Sequence, residues 1–265
     1  MSSHSSGPVG VFTFRLNAVS NLSSPISYAL GRLVGNVRTF PAHQDIVRQG
    51  DRPSQCCVVL RGWVSRNKVL EGGVRQITAL HIPSTIPDLQ SLMLPQMDHN
   101  ITTVTSVEAG FIPHSALRHL MTEFPSLALA FWKETLIDGA IAREWEVNLG
   151  SRPAAQRIAH LFCEMATRLE HVGQADRIEN ALSFPWPLTQ GQLGEATGLS
   201  AIHINRTLQE LRARGLIEFT RQQVQITDLD RLTHFAGFNP DYLLSEKPGQ
   251  SASLIDAYER AVASI

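Results

Sequence analysis

The stretch LTQGQLGEATGLS, residues 188–200, decides the fold of the last third of this 265-residue chain. The hydroxyl of Thr189 can cap a short helix over Gln190–Thr197. Gly198 then supplies the positive φ of a tight turn, and Ser200 caps a second helix. A helix, a glycine turn and a helix in this order predict a helix-turn-helix.

The second helix, which we expect to run to Arg214 and to end at Gly215, separates into two faces. Ile204, Leu208 and Leu211 recur at helical spacing and form the inward stripe. The outward stripe carries polar side chains of the kind that can bind base edges in the major groove. The predicted DNA-binding residues are Thr189, Gln190, Ser200, Ile202, His203, Asn205, Arg206 and Gln209.

After this helix, two β-type runs, LIEFT (216–220) and VQIT (224–227), flank a short polar turn and predict a hairpin wing. A closing helix is expected over Asp228–Phe238. Charge counts slightly against DNA binding, because the whole chain has a net charge of −1 and residues 189–224 a net charge of only +1. The prediction of DNA binding therefore depends on the spacing, the caps, the turn glycine and the wing.

The region Arg38–Ile112 is rich in short β-branched runs separated by turn signals, which is typical of an antiparallel barrel or sandwich. A first helix is expected over Pro25–Val37, before these runs, and a short helix over His114–Glu123, after them. The predicted strands are Cys56–Leu60, Trp63–Leu70, Val74–Leu80 and Ile101–Val107.

A long helical pattern begins at Pro125, which suits the first turn of a helix, and continues to about residue 150. Along it, residues recur at spacings of three and four, as in a coiled-coil seam. The alternative is that this face packs on the β-rich region. The pattern predicts a dimer interface of Leu129, Trp132, Leu136, Gly139 and Arg143.

A second helix is expected over Ala154–Leu169, followed by a loop over Gly173–Pro187. These elements predict an α+β fold in which an antiparallel barrel or sandwich is followed by a long helix and a C-terminal winged helix-turn-helix. The predicted parts are a disordered tail (1–24), a β-rich domain (25–124), the long helix (125–150), a DNA-binding domain (151–238) and a C-terminal tail (239–265).

Neither a membrane span nor a signal peptide is expected. The longest uninterrupted apolar run, Leu127–Trp132, is far shorter than the roughly 18 residues of a transmembrane helix. The Ser- and Gly-rich start of the chain lacks the basic and apolar parts of a signal peptide. We therefore expect a cytoplasmic protein without a membrane partner.

The three cysteines, Cys56, Cys57 and Cys163, are too few to ligate an iron–sulfur cluster and lack the C-x-x-C spacing of metal sites. Neighbouring residues of a strand point to opposite faces, so we expect one of Cys56 and Cys57 to be buried and the other exposed. Cys163 is expected in a helix core. A haem needs only one of the ten histidines, but a single histidine is more often a packed or surface residue. We predict no metal and no cofactor.

Three further segments join the helix-turn-helix in one resemblance. They are the turn Gln49-Gly50-Asp51 with VVLRG (58–62) after it, the segment SRPAAQRIA (151–159), and Gly215-Leu216-Ile217 at the end of the second helix. With them the chain resembles the Crp/Fnr transcription regulators over roughly residues 30–235. The resemblance implies that residues 25–124 form an antiparallel, jelly-roll-like β-roll that acts as a sensor domain, and that residues 125–150 form a dimerisation helix. It also implies a homodimer that binds a near-palindromic DNA operator and contacts RNA polymerase.

The same resemblance bears on the effector. Family members that bind cyclic nucleotides carry a Gly-Glu pair for the ribose and an Arg-Ser pair for the phosphate. The matching positions here are Asp88 and Leu89, and about His99 and Asn100. An effector, if one is needed, is thus an unknown small molecule and not cyclic AMP.

The resemblance also concerns base readout. Family members usually place a Glu on the outer face of the recognition helix, with an Arg four residues later. Ile202 takes the Glu position in this sequence, and Arg206 keeps the Arg position. We expect Arg206 to read a guanine and Ile202 to pack on a thymine methyl group.

Two other function classes fit the sequence less well. An enzyme is not expected, because the sequence has no G-x-S-x-G, P-loop, H-E-x-x-H or dinucleotide fingerprint. A ligand- or redox-sensing signalling module that does not depend on DNA would need an acidic or apolar outer face on the second helix. Asn205, Arg206 and Gln209 favour a transcription regulator instead.

Overall fold

The computed structural model describes residues 22–220 and 222–243, together with Leu16 and Ser20. Their contacts divide them into two compact units, one of residues up to 66 and 80–139, the other of residues 67–79 and 140–243. The remainder of the predicted N-terminal tail, Arg221 in the wing, and the C-terminal tail from residue 244 lie outside the described residues.

The first unit is an antiparallel β-roll between helices. Helix α1 (Ser24–Leu33) precedes the strands, and a short 3-10 helix (Leu89–Leu92), α2 (His114–Glu123) and α3 (Pro125–Ser151) complete the elements. The sheets have the orders β1-β7-β3 and β2-β6-β4-β5. The strands are β1 (Gly35–Phe40), β2 (Asp45–Val47), β3 (Gln55–Arg61), β4 (Val64–Val69), β5 (Arg75–His81), β6 (Asn100–Thr103) and β7 (Val107–Pro113). The parts of β4 and β5 within residues 67–79, and α3 from residue 140 on, belong to the second unit.

Both faces of strand β3 are buried. Cys56, Val58 and Leu60 point into a cluster formed with α1, α2 and the start of α3, whereas Cys57 and Val59 point into a second cluster. Burial of each such side chain contributes about 1.5–3 kcal/mol. A core on each face explains why β3 is a nearly continuous apolar run.

The predicted disordered tail over residues 1–24 needs one correction. Leu16 and Leu22 are buried in the cluster next to α1, with 2% and 6% of their surface exposed. Their side chains belong to the same core cluster as Cys56, Val58 and Leu60 of β3.

Two predictions of local structure in this unit were wrong. The first helix ends at Leu33 rather than Val37, because Gly35–Phe40 pairs with β7 as strand β1. The predicted strand Ile101–Val107 is two strands, β6 and β7, which belong to different sheets. In both cases long-range pairing decides a boundary that local propensity does not mark.

The second unit carries the predicted winged helix-turn-helix. Its four-stranded sheet has the order β10-β11-β9-β8. Residues 67–79 join this unit, where Arg75 Nη2 lies 2.8 Å from Glu195 Oε2. Its elements are α4 (Ala154–His171), β8 (Asp176–Ile178), β9 (Ala181–Pro185), α5 (Gln190–Thr197), α6 (Ala201–Ala213), β10 (Ile217–Thr220), β11 (Gln223–Ile226), α7 (Leu229–Ala236) and a 3-10 turn (Pro240–Leu243).

The loop predicted over Gly173–Pro187 was wrong, because it contains β8 and β9. Strand β9 pairs with the wing strand β11, placing Phe184 opposite Val224. Leu182, Phe184 and Trp186 are buried at every second position, a strand period that the neighbouring prolines hid. Trp186 packs edge-on against Phe162 of α4 at 4.8 Å between ring centroids, so this strand builds the core of the second unit.

Past α7 the described chain remains attached to the second unit. Leu243 is buried, and the Tyr242 hydroxyl donates to Glu164 Oε2 at 2.9 Å. These contacts fall within the segment predicted as a C-terminal tail. The boundaries of the five predicted parts themselves stay predictions.

Among residues 22–220 and 222–243, none of the helices combines the length and apolar character that a membrane span needs.

Candidate nucleic-acid interface

Side chains at both helix starts fix the helix-turn-helix locally, as predicted. The Gln192 amide donates to Thr189 Oγ1 at 3.2 Å, and the Thr189 amide donates to Gln192 Oε1 at 2.9 Å. This reciprocal pair is a capping box. The amide of His203 donates to Ser200 Oγ at 3.3 Å, so both helices begin at the residues expected.

The turn between α5 and α6 is built on two glycines. Gly198 has φ +67°, and a Cβ at this position would lie 3.2 Å from the Leu149 side chain. A Cβ at Gly194 would lie only 2.4 Å from the carbonyl oxygen of Leu199, so no larger residue fits without a shift of the backbone. These close approaches set the crossing of the two helices.

Helix α6 turns its apolar stripe inward and its polar stripe outward, as the spacing predicts. Ile204, Leu208 and Leu211 are buried, whereas Ile202 is 85% exposed. Of the eight predicted DNA-binding residues, seven are exposed and His203 is half-buried. An exposed isoleucine on a polar helix face is costly in water, and contact with an apolar group offsets that cost.

His203 lies against Arg206 on the outer face. Arg206 Nη2 and His203 Nε2 are 3.4 Å apart, within reach of a hydrogen bond in which a neutral ring accepts. The contact holds the guanidinium on the solvent side of α6, near Asn205 and Gln209. Three side chains able to donate hydrogen bonds thus share one exposed face.

Arg212 of α6 is not among the predicted DNA-binding residues, yet it contacts the wing. Its Nη2 donates to the carbonyl oxygen of Phe219 in the wing at 2.6 Å, and its guanidinium lies 5.6 Å from the Phe219 ring centroid. A groove of about 540 Å³ runs beside it, lined also by Thr189, Gln190 and Thr220. Arg212 therefore connects the recognition helix to the wing, a role for which its spacing gave no signal.

The positions matched to the cyclic-nucleotide site are occupied by the protein's own contacts. Asp88 is buried and accepts from the Cys57 amide at 2.8 Å, and burial raises its pKa to about 7. Leu89 begins the 3-10 helix. These two residues offer neither a Gly turn nor an exposed carboxylate.

The matched phosphate positions offer no cation. His99 contacts Asp98 at 2.8 Å, and burial lowers the pKa of His99, which favours a neutral ring. Asn100 Oδ1 accepts from the amide of Gln49 at 2.8 Å. Arg66, whose charge also acts on His99, is paired with Asp138 at 2.6 Å.

The predicted exposure of one of the two adjacent cysteines was wrong. Cys56 and Cys57 do point to opposite faces of β3, but both faces are covered and both thiols are buried. Burial raises the pKa of Cys56 to about 12 and also raises that of Cys57. Cys163 is buried in α4 as expected, with its pKa also raised to about 12 by burial. Thiols held in the neutral form are poor nucleophiles.

The predicted dimer stripe on α3 is mostly uncovered within one chain. Trp132 and Leu136 are 63% and 55% exposed, and Arg143 is also exposed. Gly139 is half-buried, and Leu129 packs against the cluster next to α1. Packing on the β-roll therefore accounts for Leu129 and not for Trp132 or Leu136.

Within the described part of the chain, no three His, Cys, Asp or Glu side chains converge as metal ligands would.

Comparison with known families identifies two modules. A model of the Crp-like helix-turn-helix domain matches residues 156–235, and one of the cyclic nucleotide-binding domain matches residues 37–124.

The known proteins that the chain resembles are transcription regulators rather than enzymes. It is 25% identical over 208 residues to the transcriptional activator protein FnrL of Cereibacter sphaeroides, covering 77% of this chain and 82% of that protein. It is 25% identical over 229 residues to FnrA of Stutzerimonas stutzeri, covering 83% and 91%. The fold resembles FixK2 from Bradyrhizobium japonicum with a TM-score of 0.68 and 21% identity, over 76% of this chain and 97% of that one.

The turn glycine provides a test of the helix-turn-helix geometry. Gly198→Ala should lower the free energy of unfolding by about 1–2 kcal/mol, because a left-handed φ strains a residue with a Cβ. Gly191→Ala is the matched control in α5, where the new Cβ meets only ordinary contact at 3.7 Å. Urea unfolding of both variants measures the difference. Equal stability of the two would contradict the geometry of the turn.

Proposed function

Because this chain belongs to the Crp/Fnr family of transcription regulators, we propose that it binds a near-palindromic operator as a homodimer in the cytoplasm and acts through RNA polymerase. DNA binding through the helix-turn-helix is the part that the family establishes. The dimer, the operator, the polymerase contact and the base contacts below are our proposals.

The observation that carries the proposal is the exposed outer face of α6. Its side chains Asn205, Arg206 and Gln209 are all exposed and are of the types that make paired hydrogen bonds to base edges. A helix of 13 residues with one buried stripe fits the major groove with this face toward the bases.

Arg206 is the proposed reader of a guanine, through hydrogen bonds to O6 and N7. Ile202 packs on a thymine methyl group, which replaces an exposed apolar surface in water by an apolar contact. Asn205 or Gln209 reads a neighbouring base. His203, at the edge of the face, contacts phosphate.

Thr189, Gln190 and Ser200 are the proposed phosphate contacts. They lie at the N-termini of α5 and α6, where free amide groups and the positive end of the helix dipole attract anions. Such contacts position the protein on DNA without reading its sequence.

The proposed dimer forms through the stripe on α3. Trp132 and Leu136 are large apolar side chains that a lone chain leaves in water. They follow a spacing that suits a coiled coil with a second copy of the same helix. Burial of both on each chain supports association along the two-fold axis.

The proposed regulator does not respond to cyclic AMP, and its effector, if it has one, stays unidentified. Support comes from the neutral His99 and the buried Asp88 at the matched positions. A redox-sensing module independent of DNA has no comparable support, because all three thiols are buried.

The base reader is tested by operator titration. Arg206→Ala should cost about 1–3 kcal/mol per half-site and relax the preference at one base pair. The control is Arg214→Ala, at the end of the same helix, where the side chain pairs with Glu210 at 2.8 Å. Each protein is titrated with an operator obtained by random-site selection and with versions of it substituted at the guanine. A folded Arg206→Ala variant that still discriminates the guanine would exclude this residue as the reader.

The dimer seam is tested by light scattering. Leu136→Glu should give monomers, because it places two carboxylates opposite each other at the two-fold axis, and operator binding should be lost with the dimer. Ile178→Glu is the control, since Ile178 is 75% exposed but lies in β8. A dimeric Leu136→Glu variant would place the seam elsewhere.

The effector prediction is tested by calorimetry. Cyclic AMP and cyclic GMP should release no heat of binding at physiological concentrations, since no cation stands at the matched phosphate positions. Cyclic AMP binding at micromolar concentrations, with improved operator affinity, would contradict this.

A further inference from the structure

Arg157 makes three hydrogen bonds to three separate stretches of the second unit. Its Nη1 donates to the carbonyl oxygen of Thr197 at 2.6 Å, and its Nη2 donates to those of Leu149 and Arg152, both at 3.1 Å. These carbonyls belong to the end of α5, the end of α3 and the link before α4. The site described above does not use Arg157.

Two of these carbonyls lie at helix C-termini. Thr197 is the last residue of α5, and Leu149 lies in the last turn of α3, which ends at Ser151. The last carbonyls of a helix have no partner within the helix and carry the negative end of its dipole. One planar guanidinium therefore caps both helices at once, which a lysine with its single nitrogen cannot reproduce.

An apolar contact closes the same junction. The Leu149 side chain approaches Gly198, the turn residue next to Thr197, so closely that a Cβ there would be 3.2 Å away. The same Cβ would be 3.6 Å from Arg157 Nη1. The end of α3 thus touches the turn that precedes the recognition helix.

A polar network holds α3 against α4 beside this junction. Arg152 Nη1 donates to Glu144 at 3.1 Å and to Asn148 at 2.9 Å, and Asn148 contacts His160 at 3.1 Å. His160 also lies 3.4 Å from Glu144, but burial, with Arg152 nearby, lowers its pKa to about 3. The ring is neutral, and Arg152 is the cation that pairs with Glu144.

We propose that Arg157 is a positioning residue that fixes the orientation of α6 relative to α3. This inference rests on the proposed dimer, because α3 is then the axis from which both recognition helices extend. A fixed angle at each junction sets the separation and the rotation of the two recognition helices. Arg157 thereby sets the operator spacing that the dimer accepts, without contacting DNA.

The number of base pairs between the two half-sites is the property of the operator that Arg157 should affect. One added or deleted base pair between half-sites rotates them by about 35° and shifts them by about 3.4 Å along the duplex. A dimer with rigid junctions cannot follow this change. A dimer without the Arg157 contacts can, since each DNA-binding module is then less constrained.

The experiment uses the full chain, an operator obtained by random-site selection, versions of it with one base pair more or fewer between half-sites, and an isolated half-site. The variant is Arg157→Lys. The matched control is Arg177→Lys, since Arg177 lies in the same unit and its ion-pair partner, Glu170, belongs to α4 and not to α3 or α5. Dissociation constants are measured for each protein on each DNA.

Wild type and Arg177→Lys should bind the altered spacings at least about tenfold more weakly, and Arg157→Lys should reduce that penalty to about threefold or less. Its affinity for the isolated half-site should stay within about twofold of wild type. A merely structural role would weaken all the DNAs alike.

The inference is overturned if Arg157→Lys binds the half-site normally but still loses as much affinity as the wild type on operators with altered spacing. If it fails to bind the half-site, Arg157→Gln takes its place, since its single amide cannot reach all three carbonyls that the guanidinium binds; a full penalty in that variant also overturns the inference. Wild-type protein that ignores spacing overturns the proposed dimeric readout as well, so the two failures are distinguishable.

Discussion

The close approach of Leu199 to Gly194 is the constraint on which the interface depends. With a Cβ only 2.4 Å from that carbonyl, any side chain at Gly194 would push α5 and α6 apart. Because the two helices touch there, Ile204 faces the core and Arg206, two residues later, faces solvent. The wing follows the same geometry, since Arg212 of α6 holds the carbonyl of Phe219.

A second feature is the number of polar groups buried where α3 meets α4. Glu164 is fully buried, accepting from Trp145 and Arg168 at 3.0 Å and from Tyr242 at 2.9 Å. Burial raises the pKa of this carboxyl, and Arg168 and the two other donors oppose the rise. Buried charges are costly unless all partners are in place. Such a junction therefore tolerates one arrangement of its helices, which suits a part that must hold DNA-reading surfaces at a set angle.

The features that depend on interactions between residues close in sequence were predictable. Thr189, Ser200 and Gly198 each act on backbone groups within a few residues, so the caps and the turn appear where the residue types place them. The faces of α6 follow from helical periodicity alone. Long-range pairing was less accessible: the strand at Gly35 exists because β7 lies beside it, and β9 because the wing strand does. The burial of both Cys56 and Cys57 likewise depends on which elements cover the two faces of a sheet.

Residues whose side chains bind backbone carbonyls are the hardest to identify from the sequence. Arg157 stands in the segment SRPAAQRIA, whose pattern marks a helix start but does not show that a side chain there reaches two other helices. Arg212 resembles any charged residue on a surface helix. Their partners are main-chain oxygens that every residue possesses, so no partner residue type reveals them.

The central claim, that the outer face of α6 reads the major groove in two symmetric half-sites, is tested most directly by methylation interference on a selected operator. Methylation of guanine N7 should block binding at one guanine in each half-site. The two guanines should be related by the operator's two-fold axis and lie on one face of the duplex, with half-site centres about 10–10.5 base pairs or a multiple of that apart. Binding that is insensitive to guanine N7 methylation, but sensitive to methylation of adenine N3 in the minor groove, would contradict the claim.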